Sequence, residues 1–161
     1  MKQRILFICL GNICRSCTAE EVFRTLADKA GMKQNYEIDS AGLIDYHEGE
    51  LPDKRMRRIA ARHGYQLTHR SRPVTSIDFE HFDWIVAMDE KNRTHLQQIA
   101  VNQEQRAKIV MMADYLTVHS DYSYIPDPYY GEEPDFELVV ELLEDACAEF
   151  LKKTAAASDA D

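Results

Sequence analysis

The segment from Cys9 to Ser16 holds the residues best suited to chemistry. It reads Cys-Leu-Gly-Asn-Ile-Cys-Arg-Ser and lies between an apolar run and a helix-like run. A thiol and a guanidinium at this spacing can enclose a phosphate, because the Gly and Asn between them tolerate the backbone angles of a tight turn. Such a turn can point backbone N–H groups inward, and the following helix adds further unpaired N–H groups. The pattern predicts an anion-binding loop with a thiol at its base.

Phosphoryl transfer gives each residue of this loop a role. Cys9 would attack phosphorus as a thiolate, the reactive form of cysteine, and the loop would stabilise that anion. Arg15 offers a planar fork that matches phosphate oxygens. Ser16 is placed to donate a hydrogen bond to the sulfur while starting the helix. The other phosphate-binding candidates are Leu10, Gly11, Asn12, Ile13 and Cys14.

Two other cysteine patterns overlap the same segment. Cys9, Cys14 and Cys17 have the spacing of a plant-type iron–sulfur site, but a fourth thiolate would have to come from Cys147, within a helical apolar stripe. Cys14 and Cys17 also form a C-x-x-C motif that opens a helix, as in thioredoxin-like redox proteins. The cluster leaves Arg15 without a role and the redox motif ignores Cys9, so phosphate chemistry is the favoured interpretation.

Asp127 is the candidate for the general acid that a phenolate leaving group requires. It lies between Pro126 and Pro128, which restrict the backbone and would hold the carboxyl group in a fixed loop. The same carboxyl group could then activate the water that hydrolyses a phosphocysteine. The alternative is a turn residue in an Asp-Pro loop with no chemical role.

Strands and helices alternate along the chain. Short apolar runs predict strands at residues 4–9, 36–40, 84–88 and 108–111. Helical spacing or helix-start residues predict helices over residues 19–30, 52–63, 90–99 and 136–150. This alternation predicts an α/β fold with a doubly wound, four-stranded parallel sheet flanked by helices. Ligands bind beyond the carboxyl ends of such strands, which is where the loop after the first strand begins.

Composition limits the class of protein. The chain has 161 residues, so we expect a single domain over residues 1–153, followed by a flexible tail over 154–161. No apolar run approaches the roughly 18 residues of a membrane span. The net charge of −9 argues against nucleic acid as a partner. Free thiols in a catalytic loop suit a reducing compartment, so a cytoplasmic protein is expected. We also expect a monomer with no membrane association.

Several separated motifs resemble those of the low-molecular-weight protein tyrosine phosphatases. They occur in the same order as in that family and cover most of the chain. They are Cys9–Ser16 with Ala19-Glu20 and Phe23, Asp39-Ser40-Ala41-Gly42, Pro52-Asp53, His69 before Ser71-Arg72, Ala87-Met88-Asp89, and Asp127-Pro128-Tyr129-Tyr130. The resemblance implies a hydrolase of aryl phosphates that needs neither metal nor cofactor and works through a phosphocysteine. Its partners would be phosphotyrosine proteins and, in the loop, inorganic phosphate or another oxyanion.

The resemblance also implies supporting residues around the loop. In the family, the position of Asn12 holds the loop in a strained conformation and is supported by groups that match Ser40 and His69 here. Asp89 is expected to cap the helix that begins at Glu90. Aromatic faces for an aryl substrate are expected from Tyr46, His47, Tyr129 and Tyr130.

Three positions refine the expected reaction. Phosphoarginine-specific relatives carry a smaller Thr where this chain has Ile13, so phosphotyrosine is favoured and phosphoarginine is the alternative. Arsenate reductases of the same fold pass a disulfide through two later thiols, but no cysteine lies between Cys17 and Cys147. Cys14 could still trap oxidised Cys9 as a reversible disulfide.

Cys17 departs from the family pattern, which usually has Pro directly after the motif's Ser. We expect Cys17 to be an additional low-pKa thiol at a helix N-terminus. The alternative is a tolerated substitution that packs against the sheet.

Overall fold

A four-stranded parallel sheet forms the centre of the computed structural model, which describes residues 2–159. The strands are β1 (Gln3–Cys9), β2 (Tyr36–Gly42), β3 (Trp84–Ala87) and β4 (Ile109–Met111). Their order across the sheet is β2-β1-β3-β4, and every neighbouring pair is parallel. The strand order reverses beside β1, so the predicted doubly wound sheet is confirmed and β1 lies at its centre.

Helices cover both faces of the sheet. They are α1 (Arg15–Lys29), α2 (Lys54–Arg62), α3 (Ser76–His81), α4 (Glu90–Ile99), α5 (Gln103–Ala107) and α6 (Glu133–Asp159), with 3-10 turns at Lys33–Asn35 and Met112–Tyr115. No helix within residues 2–159 is long and apolar enough to span a membrane.

Side chains of β1 alternate between two buried clusters. Ile5 and Phe7 pack in the cluster that includes α1, α2 and α6, while Leu6 and Ile8 pack in the cluster beneath α3 and α4. Because both faces of β1 are buried, its apolar run is nearly continuous rather than alternating. This placement fixes the carboxyl end of β1, where the thiol of Cys9 lies.

The C-terminal helix differs from expectation. It continues through Asp159, and Thr154 is fully buried with its Oγ1 2.7 Å from the hydroxyl of Tyr36. The expected tail over 154–161 thus starts as a continuation of this helix, and residues 160 and 161 lie outside the described residues. The apolar spacing that marks the helix weakens after Phe150, and polar contacts hold Thr154.

Gly42 allows the end of β2 to pass beside the loop that follows β1. A Cβ atom at Gly42 would lie 2.9 Å from the carbonyl oxygen of Leu10 and 3.1 Å from the carbonyl carbon of Gly11. The N–H of Leu43 donates to the same Leu10 oxygen at 2.9 Å. The missing side chain therefore brings β2 close enough to support the loop.

Candidate active site

Cys9 lies at the base of the loop, at the buried carboxyl end of β1. Its Sγ is 3.0 Å from Oγ of Ser16 and accepts a hydrogen bond from the Ser16 N–H at 3.4 Å. The helix α1 begins at Arg15, and no side chain caps its N-terminus. Its first N–H groups and its dipole are thus available to an anion held above the sulfur.

Asn12 holds the loop in shape. It is the one non-glycine residue with positive φ (59°) within residues 2–159, and its side chain is fully buried. Its Nδ2 donates to Oγ of Ser16 at 2.7 Å and to Oγ of Ser40 at 3.1 Å. Its Oδ1 lies 3.0 Å from Nε2 of His69 and accepts from the Arg72 N–H at 3.1 Å. These four contacts offset the left-handed backbone conformation, which is unfavourable for a residue with a Cβ.

Glu20 extends this network behind the loop. It accepts a hydrogen bond from Oγ of Ser40 at 2.7 Å and lies 3.4 Å from Nδ1 of His69. Ligand atoms of Glu20, His69 and Asp39 lie within 4.8 Å of one another, a spacing that a metal ion could use. Glu20 is already held by Ser40 and by Arg24 at 2.8 Å, so the group belongs to the hydrogen-bond network of the loop. Sequence analysis included Glu20 in a motif without giving it a role.

Arg15 is buried, with its guanidinium beside three acceptors. Its Nη1 donates to Oδ2 of Asp89 at 2.7 Å and to the Ile125 carbonyl at 3.0 Å, while Nη2 lies 3.6 Å from Oδ2 of Asp127. Burial alone would lower the pKa of Arg15, but the negative charges of Cys9, Asp89 and Asp127 outweigh burial and raise it. A guanidinium fixed in this way can present its remaining N–H groups to a phosphate.

Asp89 has two contacts, only one of which was expected. Its Oδ1 accepts from the Asn92 N–H at 2.8 Å, so it caps α4 as predicted. Its other oxygen holds Arg15. The second contact joins residues 74 positions apart, so no local pattern could have predicted it.

Asp127 lies at the mouth of the pocket, where its side chain is 41% exposed. Its Oδ1 accepts from the Tyr129 N–H at 3.1 Å, which orients the carboxyl group. The loop that carries it is fixed at one end by the Ile125 N–H, which donates to the Met88 carbonyl at 2.8 Å. At the other end, Arg55 donates to the Tyr129 carbonyl at 3.0 Å.

A pocket of about 350 Å³ opens above the loop. Four aromatic rings line it: Tyr46 and His47 have ring centroids 4.7 Å apart, and Tyr129 and Tyr130 have ring centroids 5.0 Å apart. Sequence analysis missed Ile44, which adds an apolar side chain to the wall. The full lining is Cys9, Leu10, Gly11, Ile13, Cys14, Arg15, Ile44, Tyr46, His47, Asp127, Tyr129 and Tyr130. An anion site beneath aromatic walls suits a flat ring that carries a tetrahedral oxyanion.

Cys17 does not behave as expected. It is buried, and burial raises its pKa well above the ordinary range of a thiol. Its Sγ lies 3.4 Å from the Cys14 carbonyl oxygen, inside the first turn of α1. The hypothesis of an additional low-pKa thiol is therefore wrong, because burial outweighs the favourable helix N-terminus. Burial also raises the pKa of Cys14, and the nearby charges of Cys9 and Asp53 raise it further.

Comparison with known proteins gives one consistent family. A family model described as low molecular weight phosphotyrosine protein phosphatase matches residues 4–159. The low molecular weight phosphotyrosine protein phosphatase of Rattus norvegicus is 41% identical over 152 residues, which cover 93% of this chain and 94% of the rat protein.

Two solved structures that match this fold are also described as phosphatases. A protein tyrosine phosphatase from Entamoeba histolytica, with Hepes in its active site, has a TM-score of 0.94 and 41% identity, and the match covers 98% of this chain and 99% of that one. DARP, described as a Drosophila arginine phosphatase, has a TM-score of 0.86 and 31% identity, with 96% and 98% of the two chains covered.

Proposed function

The chain belongs to the low molecular weight phosphotyrosine protein phosphatase family, and from this we propose how its own residues hydrolyse phosphotyrosine. The observation that carries the proposal is the arrangement of three side chains. The thiol of Cys9 faces an uncapped helix N-terminus, Arg15 is fixed beside it, and the carboxyl group of Asp127 lies at the mouth of the same pocket.

Substrate binding uses the loop and the aromatic walls. The phosphate takes the backbone N–H groups of residues 10–16 and the free N–H groups of Arg15, while the phenyl ring lies between Tyr46 and Tyr129. The Entamoeba relative holds Hepes in its active site, and the sulfonate of Hepes is an oxyanion shaped like phosphate. That parallel supports an oxyanion site in the same loop here.

The first chemical step transfers phosphate to sulfur. The Cys9 thiolate forms the S–P bond as the P–O bond to the phenol breaks, and Asp127 gives its proton to the departing oxygen. The Ser16 hydroxyl, 3.0 Å from Sγ, stabilises the thiolate before attack. Backbone N–H groups and Arg15 stabilise the charge on the three equatorial oxygens.

The second step releases phosphate. The Asp127 carboxylate takes a proton from water as the water oxygen attacks phosphorus. The S–P bond then breaks, so that inorganic phosphate leaves and the Cys9 thiolate is restored.

Phosphate release over many turnovers tests this mechanism. With reductant and EDTA present, we expect turnover of phosphotyrosine that Cys9→Ser abolishes. Asp127→Asn should lower kcat/KM by roughly 10²- to 10⁴-fold on phosphotyrosine, the usual contribution of a general acid, and much less on an aryl phosphate with a nitrophenolate leaving group. Turnover that survives Cys9→Ser, or an equal loss of kcat/KM on both substrates in Asp127→Asn, would contradict the assigned roles.

Phosphoarginine is the second candidate substrate, because one structural neighbour is described as an arginine phosphatase. Ile13 lines the pocket where phosphoarginine-specific relatives carry a smaller Thr, and this favours the phenyl ring. Parallel assays on the two phosphoamino acids decide the question. A higher kcat/KM on phosphoarginine would overturn the preference and leave the thiol chemistry unchanged.

We also propose that the enzyme works as a monomer in the cytoplasm and that oxidation switches it off reversibly. Peroxide would convert Cys9 to a sulfenic acid, and the Cys14 thiol would displace water from it to form a disulfide. The position of both residues in one loop, where both line the same pocket, supports the pairing. Mass spectrometry after mild oxidation should find a Cys9–Cys14 disulfide that reductant removes, and its absence would contradict the switch.

A further inference from the structure

A second groove lies beside the catalytic pocket, on the far side of His47 and Tyr129. Its volume is about 370 Å³, and it shares Ile13, His47 and Tyr129 with the pocket. The two shared rings stand with centroids 6.2 Å apart and separate the two spaces. A peptide whose phosphotyrosine enters the pocket can therefore lay a neighbouring side chain in this groove.

Cationic side chains dominate the groove. Lys54, Arg57 and Arg70 line it, in a chain whose net charge is −9. Within residues 2–159, none of the three has a carboxylate within ion-pair distance. A set of unpaired cations on an acidic protein marks a local field of opposite sign to the total charge.

The two acidic residues of the groove are already engaged. Glu50 lies 2.8 Å from Nδ1 of His47, and Asp53 lies 2.9 Å from Nη2 of Arg55 while it also caps α2. Neither carboxylate forms an ion pair with Arg57 or Arg70.

The two arginines are held in position by the backbone. Nε of Arg57 donates to the Pro52 carbonyl at 3.0 Å, and Nη1 of Arg70 donates to the Gly49 carbonyl at 2.8 Å. These bonds use one N–H group of each guanidinium and leave the others free among the described residues. Because both side chains are ordered beforehand, binding an anion loses little conformational entropy.

We propose that this groove is a specificity subsite for an aspartate or glutamate that flanks the phosphotyrosine in a substrate protein. The inference rests on the proposed phosphatase function and names the class of protein that the site prefers. A carboxylate can accept paired, charge-assisted hydrogen bonds from a guanidinium group of this groove, which a neutral or basic side chain cannot do. The ring wall keeps this carboxylate separate from the phosphate loop.

Phosphopeptides that differ in one flanking residue test the subsite. In each pair, Glu is replaced by Gln at one position on either side of the phosphotyrosine. At about 0.01 M ionic strength we expect kcat/KM to be roughly 1.5- to 5-fold higher for the Glu peptide at the preferred position, the range that exposed ion pairs give. The ratio should shrink at about 0.15 M ionic strength, where exposed charges are screened.

Charge reversal of the arginines provides the sharper result. Arg57→Glu with Arg70→Glu should remove the Glu preference and favour a Lys peptide, with turnover of free phosphotyrosine changed less than two-fold. The matched control is Arg58→Glu, an exposed residue of α2 that does not line the groove and should leave the preference unchanged. Absence of a Glu preference in the wild type, or equal losses on all peptides in the double variant, would overturn the subsite. A wild type that turns over no phosphotyrosine compound would overturn the phosphatase mechanism and the subsite with it.

Discussion

At the scale of single residues, the amide of Asn12 organises the phosphate loop before any ligand arrives. It joins Ser16, which contacts the catalytic sulfur, to Ser40 and His69 behind the loop. The backbone at this position is left-handed, with φ of 59°. The hydrogen bonds of the amide and the left-handed backbone angle thus both depend on Asn12. Two substitutions at this position distinguish the effect of one from the effect of the other.

Asn12→Gly keeps the left-handed backbone accessible but removes the amide, whereas Asn12→Ala removes the amide and adds the strain of a Cβ. We expect kcat on phosphotyrosine to fall by roughly 10²-fold in both, because the loop groups lose their positions. Asn12→Ala should be less stable than Asn12→Gly by about 1 kcal/mol, the penalty for a left-handed alanine. Urea unfolding measures the second difference, and equal stabilities would show that the backbone at Asn12 carries no strain.

A substitution at Asp89 likewise distinguishes its contact with Arg15 from its capping of α4. Asp89→Asn keeps an N-cap acceptor for α4 but removes the charge that faces Arg15. We expect unchanged stability of the helix and a fall in kcat/KM of roughly 10-fold, because the guanidinium loses its charged partner. Steady-state assays check the first quantity and thermal unfolding the second. An unchanged kcat/KM would show that the charge of Asp89 is not needed to position Arg15.

Residues that act through local spacing could be predicted, and residues that act across the fold could not. Cys9 and Arg15 lie in one loop, so their types and spacing were enough. The contact of Asp89 with Arg15 depends on β1 and β3 being neighbours in the sheet. The prediction of a low-pKa thiol at Cys17 was wrong for the same reason. Burial by the surrounding elements raises the pKa of Cys17, and no local sequence pattern indicates that burial.

At the scale of elements, the start of α2 is tied to the loop that carries the general acid. Asp53 caps α2 and pairs with Arg55, and Arg55 donates to the Tyr129 carbonyl at 3.0 Å. The Arg55 guanidinium also lies 4.7 Å from the ring centroid of Phe136 in α6. The Arg55 guanidinium therefore contacts the start of α2, the loop that carries Asp127, and α6.

The charge of Asp53 makes this junction sensitive to acid. Burial would raise the pKa of Asp53, but hydrogen bonds from Arg55 and the Met56 N–H outweigh burial and lower it. A carboxyl group with a lowered folded pKa stabilises the fold above its unfolded pKa of about 3.9, and this stability is lost as pH falls through the folded value. Asp53→Asn should therefore be less stable than the wild type by roughly 1 kcal/mol at pH 7, and the difference should be smaller at pH 3.

Urea unfolding at the two pH values measures this difference, and Asp53→Asn keeps a cap acceptor so that the charge alone is tested. A gap between wild type and variant that stays constant with pH would contradict the sign argued here.

The long elements were predictable because their patterns repeat. The helix at Glu90–Ile99 agrees with expectation at both ends, and its start is marked by a capping Asp. The short helices at Ser76–His81 and Gln103–Ala107 were missed, because one or two turns are too short to show a helical period.

At the scale of the whole molecule, the end of α6 packs at the amino ends of the strands, whereas Cys9 lies at a carboxyl end. The Thr154 carbonyl accepts from Nε2 of Gln3 in β1 at 2.7 Å, and Oε1 of Gln3 accepts from the Trp84 indole in β3 at 3.0 Å. Oγ1 of Thr154 lies 2.7 Å from the hydroxyl of Tyr36 in β2. Thr154, which lies beyond the apolar pattern of α6, thus connects this helix to the amino ends of β1 and β2, and through Gln3 to that of β3.

Truncation tests whether this closure supports the fold. Removing residues 154–161 should lower the free energy of unfolding by about 2 kcal/mol, since it removes two buried hydrogen bonds of about 1 kcal/mol each. Removing only residues 158–161 leaves both bonds in place and should change stability by less than about 0.5 kcal/mol. Thr154→Val keeps the helix and the Gln3 contact but loses the hydroxyl, so about half of the full loss is expected.

Because the contacts lie at the opposite ends of the strands from Cys9, kcat on phosphotyrosine should stay near the wild-type value in the folded truncated protein. Equal stability of the two truncated chains would mean that the aromatic packing around Phe150 holds α6 without Thr154.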